Sequence, residues 1–116
     1  MNAKTNLAES LEAVPVCRLE DLQPGIGVGA LINGQQVALF RLRNDDIYAI
    51  GNYDPFSEAN VISRGLVGDL KGCKVVASPL YKQHFDLATG RCLEDESVQL
   101  PVYAVQVNGD QVSVLA

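Results

Sequence analysis

The chain has one histidine and three cysteines in 116 residues, and that scarcity removes several chemistries. Cys17, Cys73 and Cys92 are widely spaced and form no C-x-x-C or C-x-H pair, the short units from which metal-binding loops are usually built. They read as reduced structural thiols, as expected in a reducing compartment. His84 has no neighbouring cysteine and only distant serines, so no nucleophile–base arrangement can be read. There is no G-x-x-x-x-G-K-S/T or G-x-G-x-x-G phosphate loop. Gly25, Gly27 and Gly29 lie in β surroundings, where glycines serve tight strand packing. Lys and Arg are scattered, and the net charge of −5 with a pI near 4.6 argues against nucleic acid or an anionic membrane as a partner. No stretch approaches the ~18 apolar residues of a membrane span. No apolar run of signal-peptide length follows Met1, so the expectation is a cytoplasmic protein.

What is present is ordinary globular material, 47% hydrophobic and 20% charged. Residues 1–13 read as a flexible or briefly helical lead-in, and residues 14–116 as a single domain. Val14-Pro15-Val16-Cys17 predicts a short edge strand, since proline suits an edge. Leu19 to Leu22 predicts a turn of helix closed by Pro24-Gly25. Gly27 to Ile32 and Gln36 to Leu42 flank Asn33-Gly34, a strong hairpin signal, and Ile47 to Ile50 follows the turn at Asn44-Asp45-Asp46. Val102 to Val107 and Gln111 to Leu115 flank Asn108-Gly109-Asp110, which predicts a second hairpin of the same chemistry. The fold class is all-β, an antiparallel sandwich or small barrel, with a loop-rich region from Gly51 to Glu96 where function is expected.

That region contains V-V-A-S-P-L-Y-K-Q-H-F-D-L-A-T-G, Val75 to Gly90. It resembles the second cluster-binding loop of Rieske-type [2Fe-2S] ferredoxins, in which Cys-Pro-x-His precedes an aromatic-Asp-Leu strand and a Thr-Gly turn. Upstream, Tyr48-Ala49-Ile50-Gly51-Asn52-Tyr53-Asp54-Pro55-Phe56 is similar to the first loop. The resemblance implies a Rieske-like fold with a cluster-type subdomain. It also places Asp54 and Phe56, and Ser78 and Tyr81, where the cysteine and histidine of each loop would stand. A Rieske centre needs all four side chains. Phenylalanine binds no iron, and Asp, Ser and Tyr are hard oxygen donors unsuited to a sulfide-bridged cluster. No metal or cofactor is therefore expected in this chain. Phe56 and Tyr81 are expected to fill the cluster's volume, and Asp54 and Ser78 to cap the loops through backbone N–H groups. His84 should point away from Phe85 on an alternating strand, as a surface or packing residue.

The stretches D-P-F, E-A-N-V-I-S-R-G-L and A-S-P-L-Y-K-Q, in that order, resemble the small subunits of bacterial NADH-dependent assimilatory nitrite reductases over Val14 to Ala116. The resemblance implies an accessory subunit with no catalytic centre of its own. Its partner would be a large subunit that carries FAD, siroheme and a [4Fe-4S] cluster and reduces nitrite to ammonium. The alternatives are an electron-carrier ferredoxin of an oxygenase system, which the replaced ligands oppose, and a small β interaction module of another complex. Candidate partner contacts are the loop residues Tyr53, Phe56, Glu58, Asn60, Arg64, Tyr81, Lys82 and Gln83. For these the structural alternatives are Phe56 in the core, Arg64 paired with Glu58 or Asp54, and Asn60 and Gln83 bonded to loop backbone. Glu94-Asp95-Glu96 reads as a solvated charge run or an acidic docking patch.

Overall fold

A computed structural model describes residues 11–80 and 82–116. The lead-in expected over residues 1–13 falls mainly on residues 1–10, which lie outside the described residues, and the first strand, β1 (Ala13–Arg18), begins one residue before Val14. A 3-10 turn over Leu19–Asp21 follows it, at the site expected for a turn of helix.

The centre of the fold is a four-stranded antiparallel sheet of β2 (Val28–Ile32), β3 (Gln35–Arg41), β4 (Ile47–Gly51) and β10 (Val102–Tyr103), in the order β10-β4-β3-β2. The β2–β3 hairpin turns on Asn33 and Gly34, with φ of 50° and 81°, the two positive angles of a type I′ turn. Residues Val37 to Phe40 of β3 are all buried, and a continuous apolar run marks a strand covered on both faces. Alternation sends Val37 and Leu39 into one core, with Ile32, Ala49, Val112 and Val114. Ala38 and Phe40 enter a second core on the opposite face, with Ile50, Ile62, Val76, Phe85 and Leu87. Removing each such Val, Leu, Ile or Phe side chain from water stabilises the fold by about 1.5–3 kcal/mol.

The first core is closed by a three-stranded sheet in the order β1-β12-β11, formed by β1, β11 (Val105–Asn108) and β12 (Gln111–Leu115). Strand β1 has one neighbour, so Pro15 does sit on an edge. The second core is closed by β7 (Leu66–Leu70), β8 (Cys73–Ala77) and β9 (His84–Asp86), preceded by the short pair β5 (Tyr53–Asp54) and β6 (Ala59–Asn60). The protein is thus all-β, with three larger sheets and the two-stranded β5–β6 pair, the loop-rich part lying on one side of the central sheet.

Two local expectations are corrected. Val102 to Val107 is not one strand: it divides at Ala104, with Val102–Tyr103 paired to β4 and Val105–Asn108 paired to β12. Val102-Tyr103-Ala104-Val105 is apolar throughout, so its pattern carries no mark of the change of sheet. The second hairpin also differs from the first. Asn108 pairs with Gln111, leaving Gly109 (φ 62°) and Asp110 as the turn, and only Gly109 is left-handed, the φ pattern of a type II′ turn. Of the early glycines, Gly27 does serve close packing, since a Cβ there would lie 2.2 Å from the Ser63 carbonyl oxygen.

Candidate functional site: two proline loops joined by a buried hydrogen bond

Two loops converge where the Rieske resemblance places a cluster. The first runs from Pro55 to Glu58 and joins β5 to β6, in which Asp54 pairs with Ala59. The second runs from Pro79 to Lys82 and joins β8 to β9; the Ser78 N–H donates to the Gln83 carbonyl at 2.8 Å. Each loop closes by the same backbone bond across four residues. The Glu58 N–H donates to the Asp54 carbonyl at 2.7 Å, and the Lys82 N–H to the Ser78 carbonyl at 3.0 Å.

The residues that begin the loops are fully or nearly fully buried, Asp54 at 0% and Ser78 at 1% exposure. As expected, each caps its own loop. Asp54 Oδ1 accepts the Phe56 N–H at 2.9 Å, and Ser78 Oγ accepts the Leu80 N–H at 3.4 Å. They also bond to each other, with Ser78 Oγ donating to Asp54 Oδ2 at 2.5 Å, a length typical of a hydroxyl on a carboxylate. Ser57 Oγ donates to the same oxygen at 2.9 Å. A hydrogen bond therefore ties the two loops together at the position of the ligand pair. Phe56 is half-buried against the second core, its ring centroid 6.2 Å from that of Phe85. Tyr81, expected to fill the remaining volume and to contact a partner, lies outside the described residues.

These side chains do not fit a [2Fe-2S] cluster. Two thiolates and two imidazoles are required, whereas Asp54 and Ser78 offer oxygens already engaged with each other and Phe56 offers no donor atom. Among the described residues, no group of three or more His, Cys, Asp or Glu is placed to hold a metal ion.

Sequence reasoning missed two residues that build the site, Ser57 and Asn52. Asn52 is 4% exposed; its Oδ1 accepts the Ser63 N–H at 2.7 Å and its Nδ2 donates to the Asn60 carbonyl at 3.4 Å. It thereby fixes the first loop to the 3-10 turn Ile62–Arg64. The available signal was an amide immediately before an exposed aromatic and a proline turn. Asn60, expected to bond loop backbone with its side chain, instead supplies the carbonyl that Asn52 holds.

His84 is half-buried and Phe85 fully buried, as alternation predicts. Glu94, Asp95 and Glu96 are all exposed, as a solvated run would be, but Glu94 also clips His84: its Oε1 accepts the His84 N–H and its Oε2 meets His84 Nδ1, both at 2.7 Å. Burial raises the Glu94 carboxyl, but the His84 N–H, ring hydrogen bond and charge together outweigh it and hold the group below the ordinary value. Asp95 accepts both the N–H and the hydroxyl of Ser97, a local turn. Cys17, Cys73 and Cys92 are all free thiols. Cys92 is fully buried, and that burial is the main cause pushing its thiol up, away from the thiolate that redox chemistry needs.

Of the remaining contact candidates, Glu58, Asn60, Arg64 and Lys82 are exposed, Tyr53 is 47% exposed, and Gln83 is half-buried. The pairing of Arg64 with Glu58 or Asp54 does not occur: among the described residues Arg64 makes no ion pair.

A family model described as a Rieske-like [2Fe-2S] domain matches residues 12–115. The nitrite reductase (NADH) small subunit of Salmonella typhimurium is 46% identical over 100 residues, covering 85% of this chain and 93% of that protein. The solved structure of the E. coli protein NirD superposes with a TM-score of 0.84 at 40% identity, covering 91% of this chain and 97% of that one. The nitrite reductase [NAD(P)H] large subunit of Klebsiella oxytoca is 41% identical over 99 residues, which are 85% of this chain but 10% of that protein. The chain belongs to the Rieske-like [2Fe-2S] domain family and, within it, to the small subunits of NADH-dependent nitrite reductase.

Proposed function

We propose that this chain works in nitrite reductase as a cluster-free docking subunit: it takes no part in electron transfer itself and completes the large subunit by binding it through the two proline loops. The observation that carries the reading is the Ser78–Asp54 hydrogen bond, which joins the two loops at the positions where the resemblance would put cluster ligands. The Klebsiella large subunit supports the partnership, because it includes a segment similar to this chain within its own polypeptide. FAD, siroheme and a [4Fe-4S] cluster belong, on this reading, to the large subunit, where electrons from NADH reduce nitrite to ammonium. Glu58 and Lys82 on the loops, Tyr53 on β5 and Arg64 in the 3-10 turn Ile62–Arg64 are the exposed contacts, with Asn60 and Gln83 beside them, Phe56 packed against the second core, and Tyr81 as a further contact. Among the described residues no helix is long and apolar enough to cross a membrane, which is compatible with work in the cytoplasm beside NADH.

The test is NADH oxidation and ammonium formation by the purified large subunit, with and without this chain. Turnover that rises and saturates at a fixed ratio supports the reading; unchanged turnover with no complex in gel filtration overturns the docking role. Iron and acid-labile sulfide are assayed on the same preparation. Two of each per chain, with the visible absorption of a Rieske centre, would overturn the cluster-free part independently.

A further inference from the structure

We infer that Glu58 and Lys82 are the paired charges that set the orientation of this chain on the large subunit, Glu58 meeting a cation and Lys82 an anion of that partner. The inference rests on the docking role proposed above. Its ground is the likeness of the two loops. Each starts at a buried polar residue, passes through proline, closes with a bond from the fifth residue's N–H to the first residue's carbonyl, and ends left-handed. The closing residues are Glu58, with φ of 55°, and Lys82, with φ of 63°. The left-handed region crowds a Cβ against the carbonyl oxygen, so glycine or asparagine is the residue such a position favours. Among the other described residues at positive φ, Asn33 and five glycines follow that rule, Asp45 has the short polar side chain that also tolerates it, and Lys71 is the one further exception.

Lys71 shows that the backbone angle alone identifies nothing, since it lies at the tip of the β7–β8 hairpin. Glu58 and Lys82 differ from it in three ways. Their loops are joined by the Ser78–Asp54 bond, so both belong to one end of the molecule. Their charges are opposite, and among the described residues neither enters an ion pair. An exposed apolar side chain accompanies each loop, Tyr53 of β5 at 47% beside the first and Leu80 at 56% within the second, the mixed surface that interfaces use. Two loops built alike are hard for a partner to tell apart by backbone shape alone. Opposite charges at equivalent positions remove that ambiguity, because the wrong orientation brings like charges together.

The experiment measures affinity for the purified large subunit and thermal stability for Glu58→Gly, Lys82→Gly and, as a control, Lys71→Gly in the full chain. All three relieve a left-handed Cβ, so the melting temperature is expected to hold or rise in each. Glu58→Gly and Lys82→Gly are expected to weaken binding by about threefold to tenfold and to flatten its salt dependence, with Lys71→Gly unchanged. Equal affinity of all four proteins, or an equal loss in Lys71→Gly, overturns the inference. Wild-type chain that does not bind the large subunit at all overturns the docking role instead.

Discussion

At the scale of single residues, Asp54 has the most to lose. One buried carboxylate takes hydrogen bonds from Phe56, Ser57 and Ser78 and is fully enclosed. Asp54→Ala leaves the Ser78 hydroxyl buried without its acceptor, and an unsatisfied buried group costs about 1–3 kcal/mol, so a loss of about 2–3 kcal/mol is expected in urea unfolding. Ser78→Ala removes one donor and keeps the other two, and is expected to cost about half as much. The double variant should cost clearly less than the sum of the singles, because the two residues share one bond. Additive costs would mean that the loops are held together by something else.

At the scale of elements, the second loop is held on its far side by the strand β9 and the segment that follows Cys92. His84 of β9 is clipped by Glu94 through one backbone and one side-chain bond. Glu94 has a folded-state value below its ordinary 4.5, so the folded chain binds its proton less readily than the unfolded chain. Its contribution to stability is present in full above the ordinary value and is lost as pH falls through the lower folded value. The stability difference between wild type and Glu94→Gln is therefore expected to hold near neutrality and to shrink as pH drops below about 4.5, measured by denaturation at each pH. Both residues are part-exposed, the Glu94 side chain at 46%, so the difference is modest and falls with added salt. A difference independent of pH would assign the clip to the shape of Glu94 and not to its charge.

At the scale of the whole molecule, the central sheet couples the layers. Leu39 and Phe40 are adjacent on β3, yet Leu39 enters the core shared with β12 and Phe40 the core shared with β8 and β9. Neither outer sheet can lose its cover without exposing one face of the same strands. Urea unfolding is accordingly expected to show one transition, coincident by circular dichroism and tyrosine fluorescence. Leu39→Ala and Phe40→Ala should each move that single transition, by about 2–5 and about 3–5 kcal/mol. A separate early transition in Phe40→Ala would show that the loop-rich layer unfolds by itself.

The sequence alone determined what depends on neighbours along the chain. Asn33-Gly34 specifies a type I′ turn by its own backbone preferences, the apolar run at Val37 to Phe40 specifies a strand, and Asp54, Phe56 and Ser78 bring neither the thiolate nor the imidazole that a Rieske cluster uses. Tertiary structure decided what depends on distant segments meeting. The Ser78–Asp54 bond spans 24 positions and the Glu94–His84 clip 10, and no local pattern says that these side chains face one another. The change of sheet at Ala104 was hidden for the same reason. A period of two reports that a face is buried, whereas which layer buries it is settled only when the sheets pack.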